Sequence, residues 1–209
     1  MVTTDTIAET RIDLLRHGEP VGGSRYRGQL DDALSEKGWE QMWRAIAADP
    51  DWQHIVTSPL RRCQEFATSL GASHGLPVHP EPRFREIGFG DWEGKTRDEL
   101  DQLIPGQVAR FYQDPVNNRP PGAEPLSAFS ARVQAGFADV VERCAGQSVL
   151  VVAHAGVIRA ILAHVLDIPP ASMYRIDVAN AGISRICTDR LRGFHLVAHG
   201  MNEGNAHRN

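Results

Sequence analysis

Ser148-Val149-Leu150-Val151-Val152-Ala153-His154-Ala155-Gly156-Val157-Ile158 is the stretch that decides how this chain folds. Four consecutive Val or Leu residues read as a short strand, and residues 157–165 read as a helix that follows at once. A strand apolar on successive positions offers both faces for burial, as parallel strands covered by helices on each side do. Two earlier stretches repeat the pattern. Residues 12–15 form an apolar run closed by Arg16-His17-Gly18, and residues 55–57 form another closed by Ser58-Pro59.

Helical periodicity fills the gaps between these strands. Residues 35–48 carry apolar positions at Trp39, Met42, Trp43 and Ile46, with Ser35 as N-cap and Asp49-Pro50 as the stop. Residues 60–70 form a second helix, with Pro59 suited to its first turn and Gly71 to its exit. Two short helices, 97–103 and 107–112, are expected inside a segment rich in Pro, Gly and charge, and a long amphipathic helix over 126–144. Residues 175–178, 183–188 and 194–197 read as further strands, the last two as an antiparallel pair. Trp39, Trp43 and Trp52 are expected in the core. The fold class is therefore α/β, a three-layer α/β/α sandwich around a mainly parallel sheet.

Composition narrows the functional classes. The 209 residues include 42% hydrophobic and 23% charged residues, the balance of an ordinary folded domain. A net charge of −4 disfavours nucleic acid as a partner. No apolar run approaches the roughly 20 residues needed to cross a bilayer, and no secretory leader is legible, so no membrane partner and a cytoplasmic location are expected. Cys63, Cys144 and Cys187 are odd in number and far apart, which suggests free thiols in a reducing compartment and neither a disulfide framework nor a zinc ribbon. A single domain over 1–209 is expected, with an insertion over about 87–125 acting as a lid and a loose tail over about 199–209.

In such sheets ligands bind beyond the carboxyl ends of the strands. Three of those ends carry Arg16-His17-Gly18, Ser58-Pro59-Leu60-Arg61-Arg62 and His154-Ala155-Gly156. Taken singly, each has a bland reading: a lone histidine is usually a satisfied structural residue, and Arg61-Arg62 a solvated helix start. Taken together, two histidines and at least two arginines converge on one pocket. Guanidinium forks match phosphate oxygens. An imidazole beside that positive charge is held neutral by like-charge repulsion, and a neutral ring nitrogen is a competent nucleophile toward phosphorus. No metal and no cofactor are required.

Leu14-Leu15-Arg16-His17-Gly18-Glu19 resembles the signature of the histidine phosphatase superfamily, which includes the phosphoglycerate mutases. The resemblance runs in order along nearly the whole chain. Residues 28–35 with Gly38 and Gln41 resemble the segment after the catalytic turn. Ser58-Pro59-Leu60-Arg61-Arg62 matches S-P-L-x-R. Glu86, Gly90, Trp92, Glu93 and Gly94 match E-x3-G-x-W-E-G, and residues 151–156 match the second-histidine motif. The resemblance implies a phosphoglycerate mutase-like fold and these roles: His17 as the phosphorylated nucleophile; Arg16, Arg62 (not Arg61) and His154 as phosphate ligands; Glu86 as general acid and then base. An acid working near neutral pH needs a raised pKa, for which burial among Phe84, Phe89 and Trp92 is expected. The alternative for Glu86 is a surface salt bridge.

Within the superfamily, residues 19–34 most resemble the α-ribazole phosphatases of cobalamin assembly. The departure is Pro20 with Gly22-Gly23, where many relatives carry Ser or Thr and a phosphate-touching Asn. Arg27 is the candidate replacement, against a solvated charge, with Ser24, Arg25 and Tyr26 in the same loop. Pro121-Gly122-Ala123-Glu124 resembles a P-G-G-E turn of the lid. The expected activity is hydrolysis of a small phosphorylated metabolite. The alternatives are a mutase-type phosphotransferase, a protein phosphatase and a non-catalytic phosphate-binding module. The reading allows a homodimer.

Overall fold

The computed structural model describes residues 9–46, 51–189 and 191–201. Six strands form one mixed sheet: β1 (Thr10–Arg16), β2 (His54–Thr57), β3 (Val78–Pro80), β4 (Ser148–Ala153), β5 (Ile183–Asp189) and β6 (Gly193–Met201). Their order is β3-β2-β4-β1-β5-β6, parallel from β3 to β1 and antiparallel across β1-β5-β6.

Alternation along the central strands explains the layers. Ile12, Leu14, Val149 and Val151 point to one face, where they pack with α5 (Leu126–Arg143) and α6 (Ala155–Val165). Leu15, Leu150 and Val152 point to the other, against α1 (Glu36–Ala45) and α2 (Arg61–His74). Each face is apolar because each is covered. The expected core tryptophans lie there: Trp39 and Trp43 pack on Phe66, and Trp52 donates its indole N–H to the buried carboxylate of Asp13 at 2.9 Å. Ser35 caps α1 through the N–H of Gly38; residues 47–50, with the expected Asp49-Pro50 stop, lie outside the described residues. All three cysteines are free and buried.

Several expectations need correction. Helix α2 does not leave at Gly71 but runs on to His74, and Gly75 ends it in the left-handed conformation at φ 66°. Gly71 instead lies inside the helix, packed on Val78 of the edge strand β3, which periodicity missed. Residues 175–178 are not a strand. Pro169-Pro170 starts a 3₁₀ turn over Pro170–Arg175, and the carbonyls beyond it serve side chains: Ile176 accepts from Arg159, Val178 from Arg16 and Asp177 from His199. Backbone groups engaged in that way are not available to a ladder. The expected loose tail begins too early, because His199 to Met201 complete β6, with His199 Nδ1 2.8 Å from Ser184 Oγ. Residues 202–209 lie outside the described residues.

The segment expected to act as a lid holds α3 (Arg97–Leu103) and α4 (Gln107–Gln113), close to the expected bounds. Its own small core is Trp92, Leu100, Val108 and Phe111. No helix among the described residues is long and apolar enough to cross a membrane.

Candidate active site

Register brings the candidate residues together. Arg16 is the partner of Ala153 across β1 and β4, so His17 and His154 are the next residues on two adjacent parallel strands. The backbone N–H of His17 donates to Ala153 O at 3.0 Å. The two imidazoles meet edge-on, with ring centroids 5.2 Å apart. On the other side of β4, Thr57 pairs with Val152, which delivers Ser58 beside His154. Ser58 Oγ lies 2.7 Å from His154 Nε2. Three strand ends thus supply neighbouring polar groups, as the sequence reading requires.

His17 is 6% exposed and His154 is fully buried. Nδ1 of His17 is 2.7 Å from the carbonyl of Gly18, which only accepts, so Nδ1 carries the proton and the Nε2 lone pair is free to react. Both imidazoles are held well below their ordinary pKa. Burial is the first cause in each; the positive charge of Arg16 and Arg62 adds to it for His17, and for His154 the charge of Arg62, the proximity of the His17 ring and the charge of Arg16 add to it in that order. Like-charge repulsion, the cause expected from sequence, is therefore the smaller one.

The arginines flank this pair. Arg62, in the first turn of α2, is 1% exposed and donates to the carbonyls of Leu30 (2.7 Å) and Gly28 (3.0 Å). Arg16 donates to Val178 O at 2.5 Å, and burial lowers its pKa to about 10. The buried Nε of each has no hydrogen-bond partner among the described residues, which leaves a charged donor on either guanidinium for an anion. Arg61, by contrast, is exposed and bound to Glu65.

Glu86 is 9% exposed, and it sits at the root of the lid. Its carboxylate accepts from the N–H of Ile87 (2.9 Å) and from that of Gly156 (3.1 Å) in the first turn of α6. A Cβ on residue 156 would collide with Glu86 Oε1, so only glycine lets the carboxylate reach that helix end. The expected aromatic surroundings are divided: Phe84 packs in the main core and Trp92 in the lid core. Arg132 of α5 fixes the loop by donating to the carbonyls of Arg83, Arg85 and Glu86 and pairing with Glu124.

Arg16, His17, Arg27, Arg62 and Glu86 line one cavity of about 740 Å³. Arg27 is only 8% exposed, but it binds Asp32 through Nε (3.0 Å) and Val21 O through Nη2 (2.7 Å), which shapes the loop. His154 is not in the cavity wall; it lies behind His17, on Ser58. Several wall residues escaped the sequence reading, among them Arg97, Tyr112, Arg159, Tyr174 and Asn180. Arg159 was legible in part, because it stands four positions after Ala155 and so on the same face of α6.

The profile of the histidine phosphatase superfamily (branch 1) matches residues 12–202. The chain belongs to that superfamily. A protein from Mycolicibacterium vanbaalenii named glucosyl-3-phosphoglycerate phosphatase is 37% identical over 171 residues, covering 76% of this chain and 75% of the relative. The crystal structure of an α-ribazole phosphatase from Shigella flexneri superposes with a TM-score of 0.80 at 28% identity, covering 91% of this chain and 96% of that one. A bifunctional protein of Mycobacterium tuberculosis is 32% identical over 195 residues; the match takes in 90% of this chain but spans only 53% of that longer protein.

Proposed function

We propose that this histidine phosphatase superfamily member is a metal-independent phosphomonoesterase that hydrolyses a small phosphorylated metabolite through a phosphohistidine at His17. The observation that carries the reading is the pairing of a neutral, buried His17, whose Nε2 is free, with orphaned donors on Arg16 and Arg62.

Nε2 of His17 attacks phosphorus while the two guanidinium groups hold the oxygens on which charge is greatest. The P–O bond to the leaving group breaks, and that oxygen takes the proton of the Glu86 carboxyl. Nδ1–H keeps its bond to Gly18 O, which stabilises the positive charge of the phosphorylated ring. In the second step Glu86 takes a proton from water, whose oxygen attacks phosphorus. The P–N bond then breaks, releasing inorganic phosphate and restoring neutral His17. His154 was expected to bind phosphate, but it lies behind His17 on Ser58; it packs edge-on against the reacting ring and holds it in place.

For the substrate, α-ribazole 5'-phosphate is the first candidate. The loop 19–34 supports it, as does the similar Shigella enzyme, and the cavity wall offers Tyr26, Phe89, Tyr112 and Tyr174 for a heterocyclic leaving group. A second reading, a phosphorylated acid, is favoured by Arg25, Arg97 and Arg159 in the same wall and by the glucosyl-3-phosphoglycerate phosphatase relative. A phosphate-release assay with both compounds and with 3-phosphoglycerate separates them. Mutase action would appear as isomerisation of 3-phosphoglycerate outrunning phosphate release. The core mechanism is tested by acid-labile ³²P labelling in rapid quench. The label should sit on His17, and the His17→Ala protein should turn over an aryl phosphate on the order of 10⁴-fold or more slowly. Full turnover by that variant ends the proposal.

A further inference from the structure

At the opposite end of the sheet from the cavity, three adjacent strands carry a second cluster of reactive side chains. Glu9 leads into β1, Cys187 lies on β5 and His195 on β6. Cys187 and His195 are direct cross-strand partners, so their side chains share a face. Arg11 pairs with Cys187 across β1 and β5, and Glu9, two residues before it, falls on that same face. The carboxylate, thiol and imidazole donor atoms all lie within 4.8 Å of one another. None of the three belongs to the phosphatase cavity.

We propose that Glu9, Cys187 and His195 form a zinc-class metal site that clips the start of β1 to the two antiparallel edge strands. A sulfur, an imidazole nitrogen and a carboxylate oxygen together suit a borderline-soft divalent ion, and zinc takes all three. In a tetrahedral site with ordinary zinc bonds the donors stand about 3.3–3.8 Å apart, so side-chain movements of about 1 Å complete the geometry. Water fills the fourth position. Binding requires the Cys187 thiolate, whose proton passes to solvent as the Zn–S bond forms.

Without an ion, burial first and then the hydrogen bond to Glu9 and the charge of that carboxylate push the Cys187 thiol well above its ordinary value, so the divalent cation itself has to displace the proton. Arg185, the cation nearest on β5, is paired with Asp13, and Arg11 is paired with Asp51. Asp189, 3.9 Å from His195 Nδ1, adds negative charge while remaining bound to Arg192. Cys187 is 5% exposed, so the site is closed on its thiol side and open toward Glu9. Cysteine spacing could not reveal it, since only one of the ligands is a cysteine and the three are brought together by strand pairing.

The test uses the full chain stripped with a chelator and titrated with Co²⁺ and then Zn²⁺. One equivalent of Co²⁺ should give a thiolate-to-cobalt charge-transfer band in the near ultraviolet, and Zn²⁺ should displace it and raise the unfolding midpoint. Both effects should vanish in Cys187→Ser and in His195→Ala and persist in His17→Ala, while Cys187→Ser and His195→Ala keep wild-type phosphate release from an aryl phosphate. Absence of the band in wild type overturns the site, as does a band that survives in folded Cys187→Ser. Circular dichroism checks the fold of each variant, and the two ligand substitutions fail independently. Because the readout is spectroscopic, failure here leaves the phosphatase reading standing, and failure there leaves this one.

Discussion

The carboxyl ends of β2, β4 and β1 and the lid over residues 87–125 meet at one cavity, but they are built differently. The strand ends rest on two large apolar clusters, and the groups there are held by short fixed partners: His17 by the backbone of Ala153 and Gly18, Arg62 by that of Leu30 and Gly28, and His154 by Ser58 Oγ. The lid rests on a core of four buried residues, and its pocket-facing Tyr112 is 49% exposed. Core contacts resist displacement in proportion to the area they bury. On the proposed function, chemistry that needs fixed geometry falls to the sheet, and we propose that choice of leaving group falls to the part that can adapt.

Glu86 tests this division most severely, because its chain position belongs to the lid root while its carboxylate is bound by α6. If it works with the sheet, Glu86→Gln should lower kcat/KM by about 10²–10⁴-fold for an alkyl phosphate, whose leaving oxygen needs a proton. The loss in kcat/KM should be much smaller for p-nitrophenyl phosphate, which leaves unaided, although kcat falls for both because hydrolysis of the shared phosphohistidine also uses Glu86. A plot of log kcat/KM against leaving-group pKa for both proteins checks this. Equal losses in kcat/KM for good and poor leaving groups would reassign Glu86 to binding.

The next effect concerns the sealed histidines. Both are held neutral well below the ordinary value of 6.5, which the unfolded chain regains. Below that value the unfolded state takes up protons that the native state refuses, so stability is full above pH 6.5 and falls as the solution is acidified. Each imidazole should account for about 1 kcal/mol of loss between pH 7 and pH 5.5. Urea unfolding at the two pH values should show a shallower acid dependence for His17→Asn than for wild type. The same slope in both proteins would mean that the native imidazole protonates freely and that the strand ends are no more sealed than the lid.

The same division governs what could be read in advance. The apolar runs at residues 12–15 and 148–153 announce buried parallel strands, and their neighbouring register follows once both are placed. Hence the convergence of Arg16, His17, Arg62 and His154 was legible. Residues 175–178 were misread because the alternation of charged Arg175 and Asp177 with β-branched Ile176 and Val178 belongs there to irregular backbone whose carbonyls bind Arg159, Arg16 and His199, partners outside the segment. Tyr174 and Asn180 flank that segment and were lost with it. Arg27 was legible as a candidate phosphate contact, against a solvated charge, but not as the partner of Asp32, since a loop's hydrogen bonds have no period. His154 could be placed beside His17, but not behind it on Ser58.

Tyr112 gives the smallest expected effect and bears most directly on the lid. Its ring packs edge-on to Phe111 (5.2 Å) and Tyr174 (5.9 Å), and its hydroxyl is 3.4 Å from that of Tyr26. Half of it faces solvent, so Tyr112→Ala should cost the fold only about 1 kcal/mol. Turnover of p-nitrophenyl phosphate should stay within about twofold, because nothing at the strand ends moves. KM for the large natural leaving group should rise by roughly three- to tenfold, the value of one lost aromatic contact. Steady-state kinetics on both substrates separates the outcomes. A fall in kcat on the small substrate would mean that the lid positions the reacting groups, and the assignment of chemistry to the sheet alone would then have to be abandoned.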